Sequence, residues 1–220
     1  MSKKLIPISV GIAAFNEENN IQNLLRSVLD QYENGFYIKE IIVISDGSTD
    51  KTIKRVEQIR SNKIKMIEGS ERKGQTIRLN EILNIFSGEI LVLLEADTIL
   101  SKKNFLTKLI EPFKKVKNLN LVHCHALPFP RQHGGLVEKS IIFFDSLKKH
   151  SFTSLNNGNN VYLYGSGKAL SKSLTRKLQW PEDVPEDSFG YLFCKNNELK
   201  VMHQPESVVY YRSPVTLFDY

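Results

Sequence analysis

IIVISDGSTDKTIKRV, residues 41–56, changes its period in the middle. Ile41, Ile42, Val43 and Ile44 form an apolar, β-branched run closed by Ser45. Asp46-Gly47-Ser48-Thr49-Asp50 then breaks the run, and Ile53, Val56 and Ile59 follow at helical spacing. The stretch therefore reads as buried strand, turn and helix. Gly47 suits the turn, and Ser48 or Thr49 is the expected cap of the helix. Asp46 is needed by neither. It stands at the carboxyl end of a strand, where α/β proteins place ligands.

The same alternation extends in both directions. PISVGIAA (7–14) reads as a first strand, and Ile21, Leu24, Leu25, Val28 and Leu29 fall on one face of a helix. KIKMIE (63–68) is a third strand, and Leu79, Ile82, Leu83 and Phe86 make the next helical stripe. EILVLLEA (89–96) is the most apolar strand and the expected centre of the sheet. Phe105, Leu106, Leu109, Ile110 and Phe113 mark a further helix, before LNLVHCHAL (119–127). Strands alternating with helices imply βαβ units, hence an α/β fold with a mostly parallel central sheet flanked by helices. Beyond residue 127 the pattern is less regular. Val137, Ile141, Phe144 and Leu147 suggest a helix, with core packing expected for Phe143. TSLNNGNN (153–160) reads as a loop, VYLYGSG (161–167) as a strand, SFGYLFCKNN as a short helix, and LKVMHQPESVVYY (199–211) as two final strands.

A chain of 220 residues without linker or repeat is expected to form one domain, 1–220. Thirty lysines and arginines against 24 acids give a net charge of +6, spread in short pairs. That distribution suits contact with phosphates or an acidic lipid surface, and it lacks the basic arm of a nucleic-acid binder. Two cysteines without metal-ligand spacing point to a reducing compartment, the cytoplasm. No segment reaches transmembrane length, so work at the cytoplasmic face of a membrane would be peripheral or through a segment outside this chain.

The strand ends carry the candidate chemistry. After the first strand, AAFNEENNI offers Asn16 as a helix cap, with Glu17 and Glu18 at the positive end of the helix dipole. After the fourth, Glu95 and Asp97 are two carboxylates one residue apart. Like charges at a partly dry strand end call for a cation, and carboxylate oxygens suit Mg²⁺ or Mn²⁺ bound together with substrate phosphates. Arg72, Lys73 and Arg78 flank Gly74 before a helix, where cations and backbone amides can meet a diphosphate. There is no Walker A loop and no Gly-x-Gly-x-x-Gly, which excludes the P-loop and dinucleotide-dehydrogenase readings.

In order, FNEE, ISDGSTDKT, RKGQTIRLN, LLEAD, GSGKAL and VPED resemble the glycosyltransferase family 2 domain with its Rossmann-like GT-A fold, over nearly the whole chain. The resemblance implies a nucleotide-sugar-binding half at about 1–127 and a less regular acceptor and catalytic-base half at about 128–220. It implies that Glu17 and Asp46 contact the nucleotide, a uridine in the typical member. Asp97 is implied as ligand of Mn²⁺ or Mg²⁺ with Glu95 beside it, and Asp187 as catalytic base with Glu186 as its competitor. The donor-binding set so expected is Ala14, Glu17, Asp46, Arg72, Gly74, Arg78, Glu95 and Asp97. The implied reaction is inverting transfer from a UDP-sugar to a glycan, a lipid-linked carrier or a protein, as in polysaccharide biosynthesis.

The chain departs from the family pattern at Ser45, Gln75, Glu95 and Pro185, where aspartate, lysine, aspartate and threonine are common. The Gln-x-x-Arg-Trp motif of processive members is not present before the chain ends at SPVTLFDY, implying a non-processive enzyme or a C-terminal part lying elsewhere. A non-catalytic nucleotide-sugar-binding module is the alternative that the irregular Glu95 keeps open. A sugar-phosphate nucleotidyltransferase would share the layout, but it needs a glycine-rich, arginine-containing loop where AAFNEE stands.

Overall fold

The computed structural model describes residues 5–129 and 166–212, with residues 135, 139, 140, 143, 144, 146 and 147. The strands are β1 (Ile6–Ala14), β2 (Phe36–Ser45), β3 (Ile64–Glu68), β4 (Ile90–Glu95), β5 (Thr98–Leu100), β6 (Leu119–Pro128), β7 (Gly167–Ser171) and β8 (Lys200–Tyr211). The helices are α1 (Ile21–Leu29), α2 (Thr52–Glu57), α3 (Gln75–Ile85), α4 (Phe105–Lys115), α5 (Lys172–Thr175) and α6 (Glu186–Asn196). Among the described residues the strands make one sheet in the order β3-β2-β1-β4-β7-β6-β8-β5. Only β7 and β5 run against the rest, so the sheet is mostly parallel with β4 near its centre.

The period of two along β4 explains the layering. Ile90, Val92 and Leu94 pack on one side with Ile21, Leu24 and Leu25 of α1 and Phe105, Leu106 and Leu109 of α4. Leu91 and Leu93 pack on the other side with Leu79 and Ile82 of α3, Leu174 of α5 and Cys194 of α6. A strand apolar at every position is therefore covered on both faces. β2 starts earlier than its apolar run because Phe36 and Ile38 are buried while Tyr37 and Lys39 are exposed, a half-buried alternation.

Several local expectations are corrected. LKVMHQPESVVYY forms one strand, β8, whose register against β6 slips between Gln204 and Val208, so Pro205-Glu206-Ser207 is a bulge and not a turn. β5 was not expected, because three residues carry no period. Of the expected strand over 161–167, residues 161–165 lie outside the described residues and Gly167 opens a different strand, β7; of the expected helix over 137–147, residues 139, 140, 143, 144, 146 and 147 are described and all are helical. Phe143 and Phe144 are exposed, against the core packing expected for Phe143. Asn16 does not cap α1, which starts at Ile21; it sits at φ 54° and its Oδ1 accepts from Thr49 N–H at 2.8 Å, tying the β1 exit to the β2 exit. Neither Ser48 nor Thr49 caps α2, since the Thr52 N–H at its start donates to Asp50 Oδ1 at 2.8 Å. Among the described residues no helix is long and apolar enough to cross a membrane.

Candidate active site

The chain runs from β1 outward to β2 and β3, then returns to place β4 on the other side of β1. The strand order reverses between β1 and β4, and crevices outside the carboxyl ends at such a point are where open α/β sheets take ligands. A cavity of about 330 Å³ opens there, walled by the ends of β1, β2 and β4 and the loop before α3. Ala14, Glu17, Asp46, Arg72, Gly74, Glu95 and Asp97 all line it. Of the eight expected donor-binding residues, only Arg78 does not.

Asp46 explains why. Its Oδ1 accepts from Lys73 N–H at 2.7 Å and from Arg78 Nε–H at 2.8 Å, and its Oδ2 from Gly74 N–H at 2.9 Å. Burial alone would raise its pKa, but these donors outweigh burial and hold the carboxyl below its ordinary value. The buried Arg78 also donates to Glu71 O at 2.6 Å and to both oxygens of Glu81 at 3.0 Å. Arg78 is thus a brace behind the cleft wall, and the Lys73 and Gly74 amides, expected to face a diphosphate, are spent on Asp46. The brace also requires Gly47: its φ is 68°, and a Cβ there would meet the backbone of Glu71 at 2.6 Å. Arg72 stays at the cleft, its guanidinium 4.1 Å over the Phe15 ring.

The remaining wall is acidic. Burial first, then Asp97 and Asp187, push the Glu95 carboxyl up to about 7. Burial also raises Asp97, and it raises Glu17 despite the hydrogen bond that Glu17 Oε2 accepts from Asn20 at 2.7 Å. Among the described residues lining the cavity, Glu17, Glu95 and Asp97 face Arg72, with Arg212 acting from the neighbouring pocket, and Asp46 is neutralised by its brace. Carboxylates in such excess disfavour an unaccompanied diphosphate, and a divalent cation would offset them. The hard oxygen donors of Asp97 and Glu95 fit Mg²⁺ or Mn²⁺.

Beyond Glu95 a second pocket opens on Asp183, Pro185, Glu186 and Asp187, and it shares Gly74, Gln75 and Glu95 with the first. Glu186 and Asp187 begin α6. The N-cap is Pro185, and Asp187 stands in the first turn as an acid at the positive end of the helix dipole. Both carboxylates receive Lys168 from β7, whose Nζ lies 2.7 Å from Glu186 Oε2 and 2.6 Å from Asp187 Oδ1. Carboxylate oxygens of Glu95, Glu186 and Asp187 approach within 4.8 Å of one another, a grouping of β4 with the start of α6 that spacing does not disclose. Asp97 stands outside this trio. Lys168 is the site residue that sequence reasoning missed, and its signal was a lone charge inside the apolar GKAL.

The description "Glycosyl transferase family 2" matches residues 9–178, most of the chain. The chain belongs to glycosyltransferase family 2. It is 34% identical over 117 residues to the poly-beta-1,6-N-acetyl-D-glucosamine synthase of Staphylococcus epidermidis, an overlap of 52% of this chain and 27% of that one. The chain spans about a third or less of the length of the curated relatives it matches. Its fold is that of GT-A glycosyltransferases. A mannosyltransferase from Pyrobaculum calidifontis, in complex with GDP-Man and Mn²⁺, superposes with TM-score 0.74 at 20% identity, covering 98% of this chain and 59% of that one. Glucosyl-3-phosphoglycerate synthase from Mycobacterium tuberculosis, in complex with Mn²⁺, UDP and phosphoglyceric acid, superposes with TM-score 0.68 at 21% identity, covering 95% and 72%.

Proposed function

We infer that this family 2 chain catalyses inverting transfer of a sugar from a nucleotide-diphospho-sugar, a UDP-sugar in the first instance, to a hydroxyl of a glycan, a lipid-linked carrier or a protein. The observation that carries the reading is the wall common to the two pockets. Gly74, Gln75 and Glu95 separate an acidic cleft from the pocket that holds Asp187. A donor with its diphosphate in the first pocket would present its sugar at that wall, opposite a carboxylate.

In this reading Asp46 and its brace fix the loop that closes around the base, with Glu17 and Arg72 at the rim. Asp97, with Glu95 auxiliary, would hold Mn²⁺ or Mg²⁺, which would supply neutralisation of the charge on the departing diphosphate. Asp187 accepts the proton of the acceptor hydroxyl as its oxygen bonds to the anomeric carbon. The bond from that carbon to the diphosphate breaks with its electron pair on the leaving oxygen, and attack from the opposite face inverts the centre. Glu186 is the poorer candidate for the base. It is buried, whereas 26% of the Asp187 side chain is open to the pocket.

The test is turnover of UDP-, GDP- and dTDP-sugars with Mn²⁺ or Mg²⁺, followed by release of the nucleoside diphosphate, with the product anomer read by NMR. The guanine donor belongs in the screen because the archaeal structural neighbour holds GDP-Man. The expected outcome is turnover of a UDP-sugar with inversion, abolished by excess chelator. Full turnover in chelator would remove the metal from the reading. Binding without turnover of any donor would turn it towards a nucleotide-sugar-binding module.

A further inference from the structure

The reading above leaves a buried charge unused. Lys168 lies in β7 between Leu93 of β4 and His123 of β6, its register partners, and only 4% of its side chain is exposed. A lone ammonium in such a place is expensive, and a lysine so buried is ordinarily found only with partners. The partners here are both acids of the VPED segment. The same Nζ lies 5.8 Å over the Trp180 ring, and Trp180 in turn donates from Nε1 to the Glu186 carbonyl at 2.9 Å. His123 beside it is buried with neither ring nitrogen hydrogen-bonded. Burial, then Lys168, holds it far below its ordinary pKa, so it stays neutral and does not compete for the acids.

We propose that Lys168 is the positioning residue of Asp187, an internal cation that fixes the carboxylate at the wall shared by the two pockets. The proposal rests on the reading of Asp187 as base. Three carboxylates within 4.8 Å of one another repel, and with no cation between them they would spread or take up protons. Lys168 supplies that cation from the sheet, whose backbone is rigid, rather than from solvent. It binds Asp187 through Oδ1 and leaves the side chain part-exposed to the pocket.

The experiment compares Lys168→Met, Lys168→Ala, Lys168→Arg and Asp187→Asn in the full chain. Binding of UDP with Mn²⁺ is read by calorimetry, and kcat and KM are measured on the nucleotide sugar that the wild type turns over. Lys168→Met is expected to keep UDP–Mn²⁺ affinity and donor KM within about threefold while kcat falls by two orders of magnitude or more. The same change made on top of Asp187→Asn should cost nothing further, because both act through one carboxylate. Ethylammonium should restore part of the activity of Lys168→Ala. Lys168→Arg, which keeps the charge, should retain more kcat than Lys168→Met, with donor KM intact. Wild-type kcat in Lys168→Met, with Asp187→Asn inactive, would overturn the proposal and leave the base standing. Equal loss of UDP–Mn²⁺ binding and turnover would reduce Lys168 to a folding role. Activity in Asp187→Asn would remove the base, and the proposal with it.

Discussion

Replacing Asp46 by alanine withdraws the acceptor from three donors at once and leaves the buried Arg78 guanidinium with only Glu81 and the Glu71 carbonyl as partners. A buried pair broken on one side costs roughly 3–5 kcal/mol, a large share of a domain's stability of roughly 5–15 kcal/mol. Asp46→Ala is therefore expected to lower the denaturation midpoint markedly in urea, and to lose UDP–Mn²⁺ affinity because the 71–74 loop loses its anchor. Asp46→Asn retains one acceptor oxygen and should fall between it and the wild type in both measurements. An alanine variant as stable as the wild type would show that the brace is not what holds the loop. The position of Asp46 was legible in sequence because a strand end is a local feature. Its partners were not, since Lys73, Gly74 and Arg78 lie 27 to 32 residues further on. Asp187 divides in the same way. Its place at a helix start was legible, whereas the ammonium that pairs with it comes from strand β7.

At the opposite ends of the strands, a second buried carboxylate joins whole elements. Glu40 of β2 accepts at Oε1 from Ser9 of β1 at 2.6 Å and from the Ser87 N–H and hydroxyl before β4 at 2.7 and 2.8 Å, and at Oε2 from Lys65 of β3 at 2.7 Å. Burial works against the charged form, but these donors hold its pKa down at about 2 against an ordinary 4.5. With the folded pKa depressed, the stabilisation is complete above the unfolded value near 4.5 and disappears as pH falls through about 2. Its size is on the order of 2 kcal/mol once the exposed Lys65 end is discounted for screening. Glu40→Gln should be less stable than the wild type by about that amount at pH 7, with the gap closing between pH 4.5 and 2 in urea titrations. A gap that stays constant with pH would show that the charge is not what matters. The elements joined here, β1 to β4, were legible because each is a contiguous periodic stretch. β8 was misread as two strands because Pro205-Glu206-Ser207 has turn composition, and only pairing with β6 and the Ser207 hydroxyl bonding to Phe105 O at 3.1 Å carry the strand through it.

On the scale of the whole molecule, the cleft is made by parts that meet only in the folded sheet: three strand ends, the braced loop before α3 and the start of α6. A ligand spanning them binds the folded chain and not the unfolded one, so it stabilises by mass action, by about 2.7 kcal/mol at a hundredfold excess over its Kd. For a chain of this length that corresponds to a rise in melting temperature of about 5–10 °C. The acid excess of the cleft fixes which ligand does so. Glu17, Glu95 and Asp97 against Arg72 disfavour an unaccompanied diphosphate, while a cation alone finds carboxylates but no phosphate oxygens to complete its shell. UDP alone and Mn²⁺ alone are thus expected to move the melting temperature by a degree or two at most, and the two together by far more than their sum. Asp97→Asn removes one of the two expected ligands without emptying the cleft, and it should abolish the joint shift while leaving the unliganded melting temperature unchanged or raised, because it relieves a buried like charge. Equal shifts by UDP with and without Mn²⁺ would mean that the acid excess is met from within the chain, with Arg72 and Arg212 as the cations to test next.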